Sequence, residues 1–125
     1  TATFHDKLEK SKEYFQKAYD LSLKHFNGKF PDQLEWGVLE NRQYLRAIFS
    51  LGLAIWRQGE AQGALQLFML VIKLNRYDNQ GARYLIAAIH ENISWDKLDD
   101  CNEDNIEQMF HRQNQRLGFF KYTET

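Results

Sequence analysis

Four histidines and a single cysteine are the side chains in this 125-residue chain best suited to metal binding or nucleophilic chemistry, so their spacing is the first constraint on function. His5, His25 and His90 show no H-E-x-x-H or comparable arrangement, and Cys101 has no second cysteine to complete a zinc pair or an internal disulfide. No serine sits in a G-x-S-x-G turn, and no glycine-rich loop could cradle a phosphate. Asp100-Cys101-Asn102-Glu103-Asp104 imitates the opening of a calcium loop. The sixth position is Asn105 where glycine is needed, however, and the twelfth is His111 where a bidentate glutamate is needed. Capping of a helix by Asn102, with acids in its first turn offsetting the helix dipole, accounts for the same residues. Glu103, Glu107 and His111 are spaced to share one helix face, where a solvated charge stripe explains them as well as a metal site would. The mixture of His111, Arg112, Arg116 and Lys121 with Phe119, Phe120 and Tyr122 has the basic and aromatic character of a nucleic-acid surface. Cations at a helix C-terminus followed by aromatics folding back onto a core are the simpler cause. None of these sets assigns a catalytic, cofactor-binding or metal-ligating residue.

The elements that carry these residues are helical throughout. Phe4, Leu8, Phe15, Ala18, Tyr19 and Phe26 recur at helical spacing and predict one amphipathic helix over about 4–26. Asn27-Gly28 and Pro31 stop it. The stretch 30–39 holds Phe30, Leu34, Trp36, Val38 and Leu39, too apolar for a free linker, and is expected to lie across the core with Trp36 as its anchor. A second helix is expected from about Arg42 to Gln58, with Asn41 near its N-cap and Gly59 past its end. A third follows from about Gln62 to Leu74, and a fourth, capped by Asp78, from Asn79 to about Asn92. Ser94 would cap a short turn through Leu98. Asn102 would cap a last helix over about 103–117, with Ile106, Met109, Phe110 and Leu117 inward and Gly118 as terminator.

Composition bounds the class. With 43% hydrophobic and 14% aromatic residues, the chain suits one compact domain with its own core. Lys plus Arg number 16 against 17 Asp plus Glu, so a net charge of -1 supplies no bulk attraction to nucleic acid or an anionic membrane. The most apolar stretch, Ala47 to Trp56, is about half of the ~20 residues a bilayer span requires. No secretory h-region is present and the lone cysteine fits a reducing compartment, so the expected location is the cytoplasm. The sequence opens on Thr1, which leaves a processed start and a fragment of a longer protein equally open.

From Leu45 to Asp78 the chain supplies Ile48, Leu51-Gly52, Ile55, Ala64 and Phe68 at the offsets of the tetratricopeptide pattern of about 34 residues, with Gly59 at the turn. The segment resembles a tetratricopeptide repeat. More narrowly, Glu40-Asn41-Arg42-Gln43-Tyr44-Leu45-Arg46-Ala47 and Leu74-Asn75-Arg76-Tyr77-Asp78-Asn79-Gln80-Gly81-Ala82-Arg83-Tyr84-Leu85 are similar to a tetratricopeptide-like group with the pattern E-[NT]-R-P-Y-x-R-A and L-N-P-N-D-N-Q-G-x-R-Y-L. Gln43 and Arg76 replace its two prolines. The resemblance covers about residues 36–90 and implies a helical-hairpin scaffold with no established catalytic residues. Interior Gly52 would cost roughly 1 kcal/mol relative to alanine unless a neighbouring helix approaches closely there, and that geometry supplies the approach. Ala82, Leu85, Ile86 and Ile89 repeat the first-helix positions. Ile86 replaces a preferred glycine, and no second hairpin follows. The expected fold is therefore all-α: about one and a half tetratricopeptide-like repeats over 42–92, flanked by a long N-terminal helix and a C-terminal helix in a single domain.

By the same resemblance, the first helix of each repeat would line a concave face through Arg46, Phe49, Leu53, Trp56 and Arg57, then Gln80, Arg83, Ala87, His90 and Glu91. Of these, Arg46, Trp56, Arg57, Arg83, His90 and Glu91 are the candidate partner-binding residues: the arginines for a carboxylate or acidic peptide, Trp56 as an apolar platform. The competing reading pairs Arg46 and Arg83 with Glu40 or Asp78 and covers Phe49 and Leu53 with the N-terminal helix. Phe49 and Leu53 stand where chaperone-tail-binding relatives carry Lys and Asn, so that clamp is absent. The expected function is a non-catalytic protein–protein interaction or assembly module whose partner is a protein, a peptide or a second copy. Trp36, Trp56 and Trp95 in so short a chain motivate the homodimer. The alternatives are an enzyme or metal-dependent protein with an inter-helix pocket using His25, His90 and Glu91, and, as a minor reading, a nucleic-acid-binding helical protein.

Overall fold

A computed structural model describes residues 3–98 and 100–117, with the side chains of Arg116 and Leu117 left out. Among these residues every regular element is a helix: α1 Phe4–His25, a 3-10 turn Leu39–Asn41, α2 Arg42–Arg57, α3 Ala61–Leu74, α4 Ala82–His90, the single turn α5 Trp95–Leu98, and α6 Glu103–Leu117. The helices stack serially, α1 on α2, α2 on α3, α3 on α4 and α4 on α6, while α5 reaches back to α2. None is long and apolar enough to cross a membrane.

Thr3 starts α1 by accepting the Asp6 N–H at 3.1 Å while its own N–H donates to the Asp6 carboxylate at 3.3 Å, a reciprocal cap. Asn27 (φ 58) and Gly28 (φ 90) end it in left-handed conformations. The helix runs antiparallel to α2: Tyr44, near the start of α2, stacks on His25 at 5.0 Å, and Gln58, just past its end, donates to Glu9 at 2.7 Å. Because α2 ends opposite Glu9, the first turn of α1 overhangs its partner. Phe4, expected to face inward, is 77% exposed. Ser22 is the residue of α1 that is buried, its hydroxyl donating to the Ala18 carbonyl at 2.8 Å.

The connection from α1 to α2 is ordered by Leu34 more than by Trp36. Leu34 is buried, and its N–H donates to the Leu74 carbonyl at the end of α3 at 2.7 Å, while Trp36 is half-buried and Val38 and Leu39 are exposed. Between α2 and α3 the approach expected at Gly52 is present. A Cβ built on Gly52 would lie 2.7 Å from Phe68 Cε1, so the ring occupies the space that any larger residue would need. Phe68, Ala64, Ile48 and Val71 are fully buried around it.

The fourth helix begins three residues later than expected. Asp78 (φ 50) and Gly81 (φ 76) are left-handed, which prevents helix through 78–81. Asp78 still caps the helix from a distance, accepting the N–H groups of Ala82 at 2.8 Å and Arg83 at 2.9 Å. Ser94 serves α5 through its carbonyl, which accepts the N–H groups of Lys97 and Leu98. Asn102 caps α6, accepting from the Asn105 N–H at 2.8 Å as Asn105 Oδ1 accepts from the Asn102 N–H at 3.3 Å. Two residues of the calcium-like run are thereby used as a helix start. Met109 and Phe110 are buried and Ile106 half-buried, as the periodicity requires. The expected roles of Leu117, Gly118 and the tail through Lys121 and Tyr122 lie outside the described residues.

Candidate interaction site

Being flanked by α1 and α3, α2 has only a narrow strip for solvent, formed by the exposed Gln43, Arg46 and Arg57 with the half-buried Ser50 and Leu53 between them. Its two cationic ends have the same construction. At the N-terminal end the guanidinium carbons of Arg42 and Arg46 lie 4.8 and 5.3 Å from the Trp36 ring centroid, and Arg42 Nε donates to the Trp36 carbonyl at 2.8 Å. At the other end Arg57 lies 4.6 Å from the ring centroid of Trp95. Arg46 and Arg57 are about three turns apart, roughly 16 Å along the helix. Among the described residues none of these three arginines makes a salt bridge. A guanidinium lying over a ring can keep edge N–H groups available for a carboxylate, and of the three only Arg42 has an N–H committed elsewhere among the described residues, its Nε to the Trp36 carbonyl.

Four of the six candidate binding residues lie elsewhere or are engaged. Trp56 is 2% exposed, packed edge-on against Phe68 at 6.2 Å and Trp95 at 5.5 Å; it is a core residue and not a surface platform. Arg83 pairs with buried Asp78 at 3.1 Å, donates to the Tyr84 hydroxyl at 2.9 Å and lies over the rings of Tyr84 and Phe110. The Asp78 carboxyl is held above the ordinary carboxylate range by burial, against the opposing pull of the Arg83 and Ala82 N–H groups and the Arg83 guanidinium. Glu91 accepts from Arg112 and, at 3.0 Å, from Gln113, both on α6. His90 is exposed at the last position of α4. With Ala87 fully buried and α6 packed on α4, the α4 half of the expected concave face is largely closed. Phe49 meets Phe68 of α3 at 5.5 Å, where cover by the N-terminal helix was expected.

The structure thus brings Arg46 and Arg57 into one strip and adds Arg42, Trp36 and Trp95, which the repeat positions did not include. The signal in the sequence is Arg42 and Arg46 at i, i+4, which share a helix face. Trp36 lies before the helix, so helical periodicity could not align it with them. Trp36 lies under two arginines and Trp95 under one, both half-buried, while Trp56 is internal. His25 stacks on Tyr44, away from the Glu91 pair with α6. Among the described residues no group of three or more His, Cys, Asp or Glu converges as a metal site would require. His111 and Glu107 form an exposed pair at 3.5 Å. Comparison with known proteins finds no matching family model, no similar curated protein and no similar solved structure.

Proposed function

We propose that the chain is a tetratricopeptide-like, non-catalytic interaction module that binds a protein or peptide through acidic side chains laid along the exposed strip of α2. The observation that carries this reading is the set of three arginines held on tryptophan faces with no carboxylate partner among the described residues. The contrast with Arg83 and Arg112 supports it: each of these two is paired with a carboxylate of the fold. Because the whole chain carries a net charge of -1, attraction for acids is a local property of this strip. The tetratricopeptide-like description rests on the repeat positions of 45–78, on the serial stacking of the helices and on the Gly52–Phe68 approach.

Fluorescence polarisation with labelled octaglutamate and octalysine peptides tests the reading. Octaglutamate should bind at low salt and weaken as salt rises, and Arg46→Gln with Arg57→Gln should weaken it by about tenfold or more, the loss of one to two charge-assisted contacts. Equal binding of the two peptides, or binding unchanged by the paired substitution, overturns it.

A further inference from the structure

Beside Arg57 the surface opens into a cavity of about 210 Å³ between the α2–α3 turn and the α4–α5 turn, lined by Trp56, Trp95, Ile89, Ile93, Gln62 and Ser94 among others. This volume is below the roughly 300–1,000 Å³ typical of small-molecule sites, and suits a single side chain better than a cofactor. Trp56 contributes the small exposed edge of an otherwise buried indole to its wall. Trp95 links this cavity to the strip, since it bears Arg57 over its ring and meets Trp56 edge-on. The adjacent guanidinium disfavours a cationic occupant, while the two indoles and two isoleucines favour an apolar one.

We propose that this notch is an anchor pocket for the same partner, taking an uncharged aliphatic side chain within two or three residues of the acid that Arg57 holds. The proposal rests on the acid-binding reading of the α2 strip. It narrows the ligand from any acidic chain to a segment in which acids roughly 16 Å apart, about five residues of extended chain, are followed closely by an aliphatic residue.

The probe is the blocked peptide Ac-Asp-Ser-Gly-Ser-Gly-Asp-Gly-Leu-NH2, titrated into the full chain. The three tryptophan indole N–H resonances are followed by nitrogen–proton NMR and assigned from Trp36→Phe and Trp95→Phe variants. The Trp95 resonance should shift and saturate, and a probe with alanine for leucine should bind about tenfold more weakly, in line with the apolar area lost. Gln62→Phe, at an exposed helical position beside the notch, should fill it and remove the preference for leucine while leaving the dependence on aspartate. Aspartate-dependent binding with equal affinity for the leucine and alanine probes overturns the notch and leaves the α2 strip standing. Leucine-dependent binding that is indifferent to Asp→Asn in the probe and to Arg57→Gln in the protein overturns the strip instead. Absence of binding overturns both.

Discussion

Where α2 meets α3, the fit depends on shape: the Phe68 ring lies against Gly52, with Trp56 and Phe49 edge-on or tilted around it. Where α4 meets α6, charge and aromatic surface share the contact: Arg83, held by Asp78, lies over Phe110, and Glu91 takes hydrogen bonds from Arg112 and Gln113. The first interface should be nearly indifferent to pH and salt, the second sensitive to both. The comparison also separates two uses of one motif. Arginine on an aromatic ring is completed by a carboxylate of the fold at Arg83, and has no such carboxylate among the described residues at Arg42, Arg46 and Arg57.

The largest effect expected from breaking this contrast is at the shape-determined interface. Phe68→Ala should lose about 3–5 kcal/mol in chemical denaturation, and Gly52→Ala should cost about 1–3 kcal/mol although alanine is the better helix former, because its Cβ collides with the ring. A stabilised Gly52→Ala variant would refute the close approach. Next comes Asp78→Asn, which keeps a residue tolerant of the left-handed backbone but weakens a buried ion pair with two backbone caps; a loss of about 2–4 kcal/mol is expected. Its pH dependence has a definite sign. The carboxyl has a higher pKa folded than unfolded, so the folded chain holds its proton more tightly. The contribution of this group is fully present below the ordinary value of 3.8 and is lost as pH rises through the folded pKa. The stability gap between wild type and Asp78→Asn should therefore narrow on going from acid toward neutral pH, and a gap that widens would contradict this. Glu91→Gln is smaller, about 0.5–1 kcal/mol at low salt and less at high salt, since the Arg112 side chain is 55% exposed. Smallest are Arg46→Gln and Arg57→Gln, each expected to shift stability by under about 1 kcal/mol, the scale of an exposed cation–π contact. Loss of the fold in either would place these arginines with Arg83 and end the distinction.

Helical content, the ends of α1, α2 and α3, the start of α6, and the Gly52–Phe68 approach were legible because each follows from local residue types or from one helix's periodicity. The start of α4 was not. Asp78 and Gly81 both read as helix punctuation, and only their left-handed backbones reveal that the helix waits until Ala82. The exposure of Phe4 depends on where another helix stops, and the closure of α4 depends on α6 folding back across it; neither is encoded in the period of the segment concerned. Arg46 and Arg57 were found from their repeat positions. Their tryptophan supports come from a connecting turn and a one-turn helix, where periodicity carries no information.

The hydrogen bond from Leu34 to Leu74 also bears on the order in which the molecule forms. Contacts between successive helices join near neighbours along the chain and close at little entropic cost, which favours rapid assembly. The Leu34–Leu74 bond instead ties the loop before α2 to the far end of α3, across the whole hairpin. Its sequence separation makes it costly to close before α2 and α3 have docked, so it is expected to form late. Breaking it alone should speed unfolding while leaving the folding rate almost unchanged.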